Sequence, residues 1–192
     1  ARRRGNDMPG ATLSRWTMSY FAVACLMLLA GQGLMVSGYG YPAVAIGAPE
    51  TLVLVHVVAI GWLSVLMAGA LLQFVPVLVA RPLVGGWAAA PALALLVGGL
   101  GCLVAGFVAL SGALDLPLFL LPVGGGLLFS GFGLLVAVLA ATLYAARPLP
   151  LPARFVALGL FSLIGAILLG VVFTLVLSGL NENEPLSRLV VD

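Results

Sequence analysis

The sequence predicts an all-α membrane protein, a bundle of about five transmembrane helices, from two observations. The first is composition: 63% of the 192 residues are hydrophobic, only 7% are charged, and the mean hydropathy is +1.27. These values lie far outside those of soluble globular domains. The second is that the apolar residues form five stretches, each long enough to cross a hydrocarbon core about 30 Å thick. Little of the chain remains for a soluble domain.

The predicted transmembrane helices cover residues 17–37, 51–79, 88–112, 118–145 and 155–178. Proline and glycine mark the connections, because neither readily continues a helix. The marking residues are Tyr41-Pro42 and Pro49 before the second helix, Arg81-Pro82 and Gly85-Gly86 after it, Pro117 before the fourth, and Pro148, Pro150 and Pro152 after that. Residues 1–16 are predicted to be a cytoplasmic tail and residues 179–192 a polar outer tail. The first span ends without a small-x-small cleavage site, so we expect it to be retained.

Arginine predicts the orientation of the bundle. The chain has eight Arg residues and no Lys. If the N-terminus is cytoplasmic, Arg188 alone lies outside, and the positive-inside rule favours that arrangement. The seven residues on the cytoplasmic side are Arg2, Arg3, Arg4, Arg15, Arg81, Arg147 and Arg154. The C-terminus is then outside, and the expected location is the cell's inner (cytoplasmic) membrane. A net charge of +2 that comes from helix ends indicates membrane orientation and no nucleic-acid partner.

Most of the uncharged polar and sulfur-containing residues are predicted to serve packing. Many of the 25 glycines lie in the third and fourth helices, where close helix association explains most of them. We interpret Cys25 and Cys102 as small apolar side chains, because neither belongs to a disulfide or zinc pattern. The remaining candidates are Gln32 and Gln73, predicted to form interhelical hydrogen bonds, and Met27, Met35 and Met67, predicted to pack. No phosphate loop, catalytic triad or carboxylate pair is present, so no catalytic residue is predicted.

His56 is the one residue for which the sequence predicts chemistry. It is the only histidine of the chain, and it lies about one and a half turns inside the second helix. A polar ring at that depth is costly without a partner, so an intramembrane histidine is a functional candidate. Three roles remain open from position alone: a metal or haem ligand, a hydrogen-bonded structural residue, or a proton carrier.

The surroundings of His56 resemble a known family. Residues 54–83 read LVHVVAIGWLSVLMAGALLQFVPVLVARPL, with Gly61-Trp62, Gly69-Ala70, Gln73-Phe74 and Val75-Pro76 following the histidine. This pattern resembles the second transmembrane helix of the catalytic subunit of haem-copper oxidases, especially the nitric-oxide-reductase-like members. The resemblance implies that His56 is an axial ligand of a low-spin haem, here taken as haem b, near the outer face. It covers about thirty residues and is generic elsewhere.

The chain also departs from that family. The resemblance is to the N-terminal part of the family's catalytic subunit. The second haem ligand and the copper ligands of the family come from later helices, and His56 is the only histidine here. The resemblance therefore implies a haem-binding subunit of a respiratory-type electron-transfer assembly, at most part of an oxidoreductase. Its expected partners are the lipid bilayer and other membrane subunits or a second copy. The alternatives are a cofactor-free structural or assembly subunit and, third, a small transporter or channel.

Overall fold

The computed structural model describes residues 15–179, which form five long helices and no β-strand. The helices are α1 (Arg15–Val36), α2 (Pro49–Leu78), α3 (Ala89–Leu110), α4 (Leu120–Ala145) and α5 (Leu151–Leu177). Each provides a segment long and apolar enough to cross a membrane. The predicted fold class is confirmed, and the chain is a multi-pass membrane protein. The orientation of the bundle and the identity of the membrane stay predictions.

The observed helices begin and end within two residues of the predicted bounds, except that α5 begins at Leu151 where the sequence predicted 155. Pro152 was assigned to the linker, but it lies in the first turn of the helix. A proline is tolerated there because the first backbone N–H groups of a helix have no intrahelical acceptor. At the other end of the chain, α1 includes residues 15 and 16 of the predicted tail. The rest of that tail, and residues 180–192, lie outside the described residues.

Helices α3 and α4 make the closest contact in the bundle, and glycine permits it. A Cβ atom added to Gly124 would lie 2.8 Å from the backbone nitrogen of Leu103 and 2.9 Å from the carbonyl oxygen of Gly99. Gly106 and Gly131 are confined in the same way by Leu121 and Leu96. In lipid, helices associate through such packing, because apolar surface gains little by leaving one apolar solvent for another. The predicted packing role is confirmed for these glycines.

Replacing Gly124 by alanine is expected to destabilise the bundle by about 2 kcal/mol, since the new methyl group meets backbone atoms that cannot rotate away. Gly126→Ala is the matched control on the same helix, because no atom lies within 4 Å of its added Cβ. That change is expected to be neutral or to stabilise by up to about 1 kcal/mol, since alanine is the better helix former. Unfolding in a denaturing detergent, followed by circular dichroism, measures both; equal effects would contradict the close contact.

Helix α1 lies against α2, and a hydrogen bond joins α1 to the first residue of α3. Gly61 and Gly69 of α2 accommodate Met27 and Tyr20 of α1. The buried hydroxyl of Tyr20 donates a 2.8 Å hydrogen bond to the carbonyl oxygen of Ala89. These contacts hold α1, α2 and the start of α3 together.

Helix α5 is the least embedded of the five. It packs along α4 and, within the described residues, approaches α2 only over the segment Val65–Leu78. Many of its large apolar side chains are exposed, including Phe155, Phe161 and Leu169. A slot therefore opens between α5 and residues 49–64 of α2, with α3 and α4 behind it.

Candidate functional site

His56 lies at a change of helix type within α2. Residues Pro49–His56 are α-helical, and Val57–Ser64 form a π-helix, in which the backbone bonds reach one residue further back. The N–H of Val65 accordingly donates to the carbonyl of Ile60, and the Ser64 hydroxyl donates to the carbonyl of Ala59 at 2.7 Å. π-helical turns are rare and frequently occur at functional sites. The residues of Val57–Ser64 do not predict a π-helix.

The His56 ring is held by a hydrogen bond and an aromatic contact. Its Nδ1 lies 2.7 Å from the carbonyl oxygen of Leu52. A carbonyl only accepts, so Nδ1 carries the proton and Nε2 of the neutral ring carries the lone pair. The ring also contacts Phe107 of α3, with centroids 4.9 Å apart and planes inclined by 46°. No described residue donates to Nε2, which leaves that lone pair available to a ligand.

The His56 side chain borders a cavity of about 440 Å³ between α2, α3, α4 and α5, which we name the imidazole chamber. Its volume falls in the range of small-molecule and cofactor sites. Apart from His56, its polar side chains are Ser64 and Thr174, and the Thr174 hydroxyl donates to the carbonyl of Val171 at 2.8 Å. The apolar walls include Leu103, Phe107, Leu128, Phe132, Leu163, Ile167 and Phe173. The chamber is thus mostly apolar, and His56 is the one nitrogen-bearing side chain that borders it.

A second cavity of about 210 Å³ adjoins the first, and we name it the leucine chamber. The two share Ser64, Phe132 and Leu163 as lining residues, so they meet at these side chains. The rest of its lining is apolar: Leu63, Met67, Ala68 and Leu71 of α2, Leu135 and Leu139 of α4, and Leu160 of α5. The two chambers follow the gap between α2 and α5.

The other sequence candidates do not converge on His56. The Thr17 hydroxyl donates to Oε1 of Gln73 at 3.5 Å, which confirms the predicted interhelical bond, whereas Gln32 is exposed. Met27 packs against Gly61, Met35 is exposed, and Met67 borders only the leucine chamber. Cys25 and Cys102 are both unpaired thiols. Sequence reasoning missed the Leu52 carbonyl, Phe107 and Thr174, none of which has a motif that would identify it.

Residues 15–179 contain no cluster of three or more His, Cys, Asp or Glu side chains that would hold a metal ion. Any metal at His56 would therefore have to be a metal centre that brings most of its own ligands, as haem iron does. No family model, curated protein or solved structure matches the chain. The resemblance to haem-copper oxidases stays a prediction that rests on the residues of α2.

Proposed function

We propose that this chain is a haem-associated membrane subunit of a respiratory-type electron-transfer assembly, in which Nε2 of His56 binds the iron of haem b. The observation that carries the proposal is the orientation of the imidazole. Nδ1 donates to the Leu52 carbonyl, while His56 borders a cofactor-sized cavity. A histidine that binds a metal almost always donates its other ring N–H to a carbonyl, carboxylate or water, which fixes the tautomer and raises ligand basicity.

The residues present would hold haem through the imidazole of His56 and through apolar side chains that would contact the porphyrin. Leu103, Phe107 and Phe132 supply apolar contact and limit water around the ring nitrogen. Bound haem iron supplies one-electron transfer, and the protein's part is to hold and orient it. None of the described lining residues offers a second nitrogen or sulfur ligand, or a cation for the propionates. Under this proposal, a partner subunit or a second copy completes the site.

The exposure of α5 favours a second candidate, a cofactor-free structural or assembly subunit. Large apolar side chains such as Phe161 and Leu169 are about three-quarters exposed at 74% and 73%, so lipid or another subunit covers them. This reading needs no ligand at His56, because the ring is already held by Leu52 and Phe107. The two candidates therefore differ in whether the imidazole chamber holds haem.

A reduced-minus-oxidised visible spectrum of the purified protein, expressed with haem supplied, decides between them. Haem bound through histidine is expected to give a Soret band and an α-band, with iron and haem present in fixed ratio to protein. Extraction into alkaline pyridine then tests for haem b. If the protein is folded by circular dichroism, is isolated in mild detergent together with the subunits that accompany it, and still carries no haem, the proposal is refuted in favour of the structural subunit.

A further inference from the structure

Among the residues that line the leucine chamber, Ser64 alone has a polar side chain, and it lies where this chamber meets the imidazole chamber. The proton of this hydroxyl is already donated to the Ala59 carbonyl. A buried water needs two to four polar partners, which these walls do not provide. The chamber is therefore suited to hydrocarbon and not to water.

The leucine chamber is buried at its floor and open at one side. Ala68, Leu135, Leu139 and Leu160 are buried, whereas Met67 remains 57% exposed. Met67 belongs to α2, and α5 forms the opposite wall, so the opening faces outward between these two helices. In a membrane this outward side is in contact with lipid chains.

The helices that flank the opening carry arginine at their nearer ends. Arg81 follows α2 by three residues, and Arg154 lies in the first turn of α5. At 1.5 Å per residue, Leu160 lies about 9 Å along α5 from Arg154. The two described carboxylates, Glu50 and Asp115, lie at the other end of the bundle, in the first turn of α2 and after α3. A positive headgroup region thus adjoins an apolar chamber.

We propose that the leucine chamber holds one acyl chain of an anionic phospholipid whose phosphate is bound by Arg81 and Arg154. The chamber supplies a site for hydrocarbon, and the guanidinium groups supply hydrogen bonds and charge for the phosphate. The chamber opens to the gap between α2 and α5, and the two arginines lie at the ends of these two helices. This lipid site does not depend on haem at His56.

Native mass spectrometry of the purified full chain tests the site by titration with phosphatidylglycerol and phosphatidylcholine that carry the same acyl chains. We expect one phosphatidylglycerol to bind more tightly than phosphatidylcholine. Met67→Trp places an indole at the opening and is expected to weaken the binding of both lipids about tenfold, the effect of losing on the order of ten van der Waals contacts with the acyl chain. Met35→Trp is the matched control, because Met35 is 54% exposed on α1 and borders neither chamber.

The headgroup is tested by the double variant Arg81→Gln/Arg154→Gln, which is expected to abolish the preference for phosphatidylglycerol. Phosphatidylcholine binding is expected to fall less, because the choline cation already offsets the charge of its phosphate. Leu63→Trp repeats the chamber test if Met67→Trp fails to fold. Equal binding of the two lipids to the unaltered protein, or unchanged binding in the folded tryptophan variants, would overturn the proposal. The haem spectrum is recorded on the same samples, so an absent cofactor and an absent lipid site give separate results.

Discussion

Replacing His56 by alanine is expected to remove haem from the protein while leaving the bundle folded. The imidazole is the only nitrogen ligand that the described lining of the chamber offers to iron. Loss of an outer-sphere partner alone typically lowers metal affinity 10- to 100-fold, so loss of the ligand is expected to cost at least about 100-fold. The Soret and α-band absorbance per protein, recorded after equal haem loading, measures this loss.

Added imidazole gives the sharpest check on the role of His56. In the alanine variant the space of the ring remains, and free imidazole can donate to the Leu52 carbonyl and present its other nitrogen to the chamber. Imidazole is therefore expected to restore part of the haem spectrum. Gln32→Ala, a change at an exposed residue of α1, is expected to leave it unaltered. A spectrum that survives His56→Ala without imidazole would show that haem binds elsewhere.

The helices could be predicted from sequence because lipid leaves the backbone few choices. A segment that crosses the hydrocarbon core has to satisfy its own hydrogen bonds, so an apolar run of sufficient length becomes a helix. The one large error in a helix end, at α5, arose because Pro152 was treated as a stop signal when it lies in the first helical turn. His56 could be predicted as a candidate because a single polar side chain stands out in an apolar helix.

The neighbours of His56 could not be predicted in the same way. In a soluble helix the buried face is apolar and the exposed face is polar, but in a membrane both faces are apolar. Phe107 is buried and Phe129 exposed, yet their sequence surroundings do not distinguish them. The π-helical segment Val57–Ser64 could not be predicted either, since its residues are ordinary for a transmembrane helix. Glycine indicated helix contacts better than the aromatic residues did. It did not do so at every position, because Gly124 is confined by neighbouring backbone atoms while Gly126 faces open space.

Phe107→Ala is expected to lower the free energy of unfolding by about 3–5 kcal/mol, the usual cost of truncating a buried aromatic ring. Phe107 is only 1% exposed and contacts the His56 ring. In a bilayer this cost comes mainly from lost van der Waals contacts, because the surroundings are apolar with or without folding. Detergent-induced unfolding followed by circular dichroism measures it. Phe161→Ala, at a residue 74% exposed on α5, is the matched control and is expected to change stability little.

Haem binding by Phe107→Ala also distinguishes a residue that positions the imidazole of His56 from a residue that binds haem itself. Phe107→Ala leaves the hydrogen bond from Nδ1 to Leu52 in place but removes the ring that limits rotation of the imidazole. Haem affinity is therefore expected to fall less than in His56→Ala, with a broadened or shifted α-band, and added imidazole is expected to restore nothing. If Phe107→Ala instead abolished haem binding in a folded protein and imidazole rescued it, the phenyl ring would be required to position the imidazole for binding. If Phe107→Ala changed neither the free energy of unfolding nor the haem spectrum, the contact between Phe107 and His56 would be contradicted.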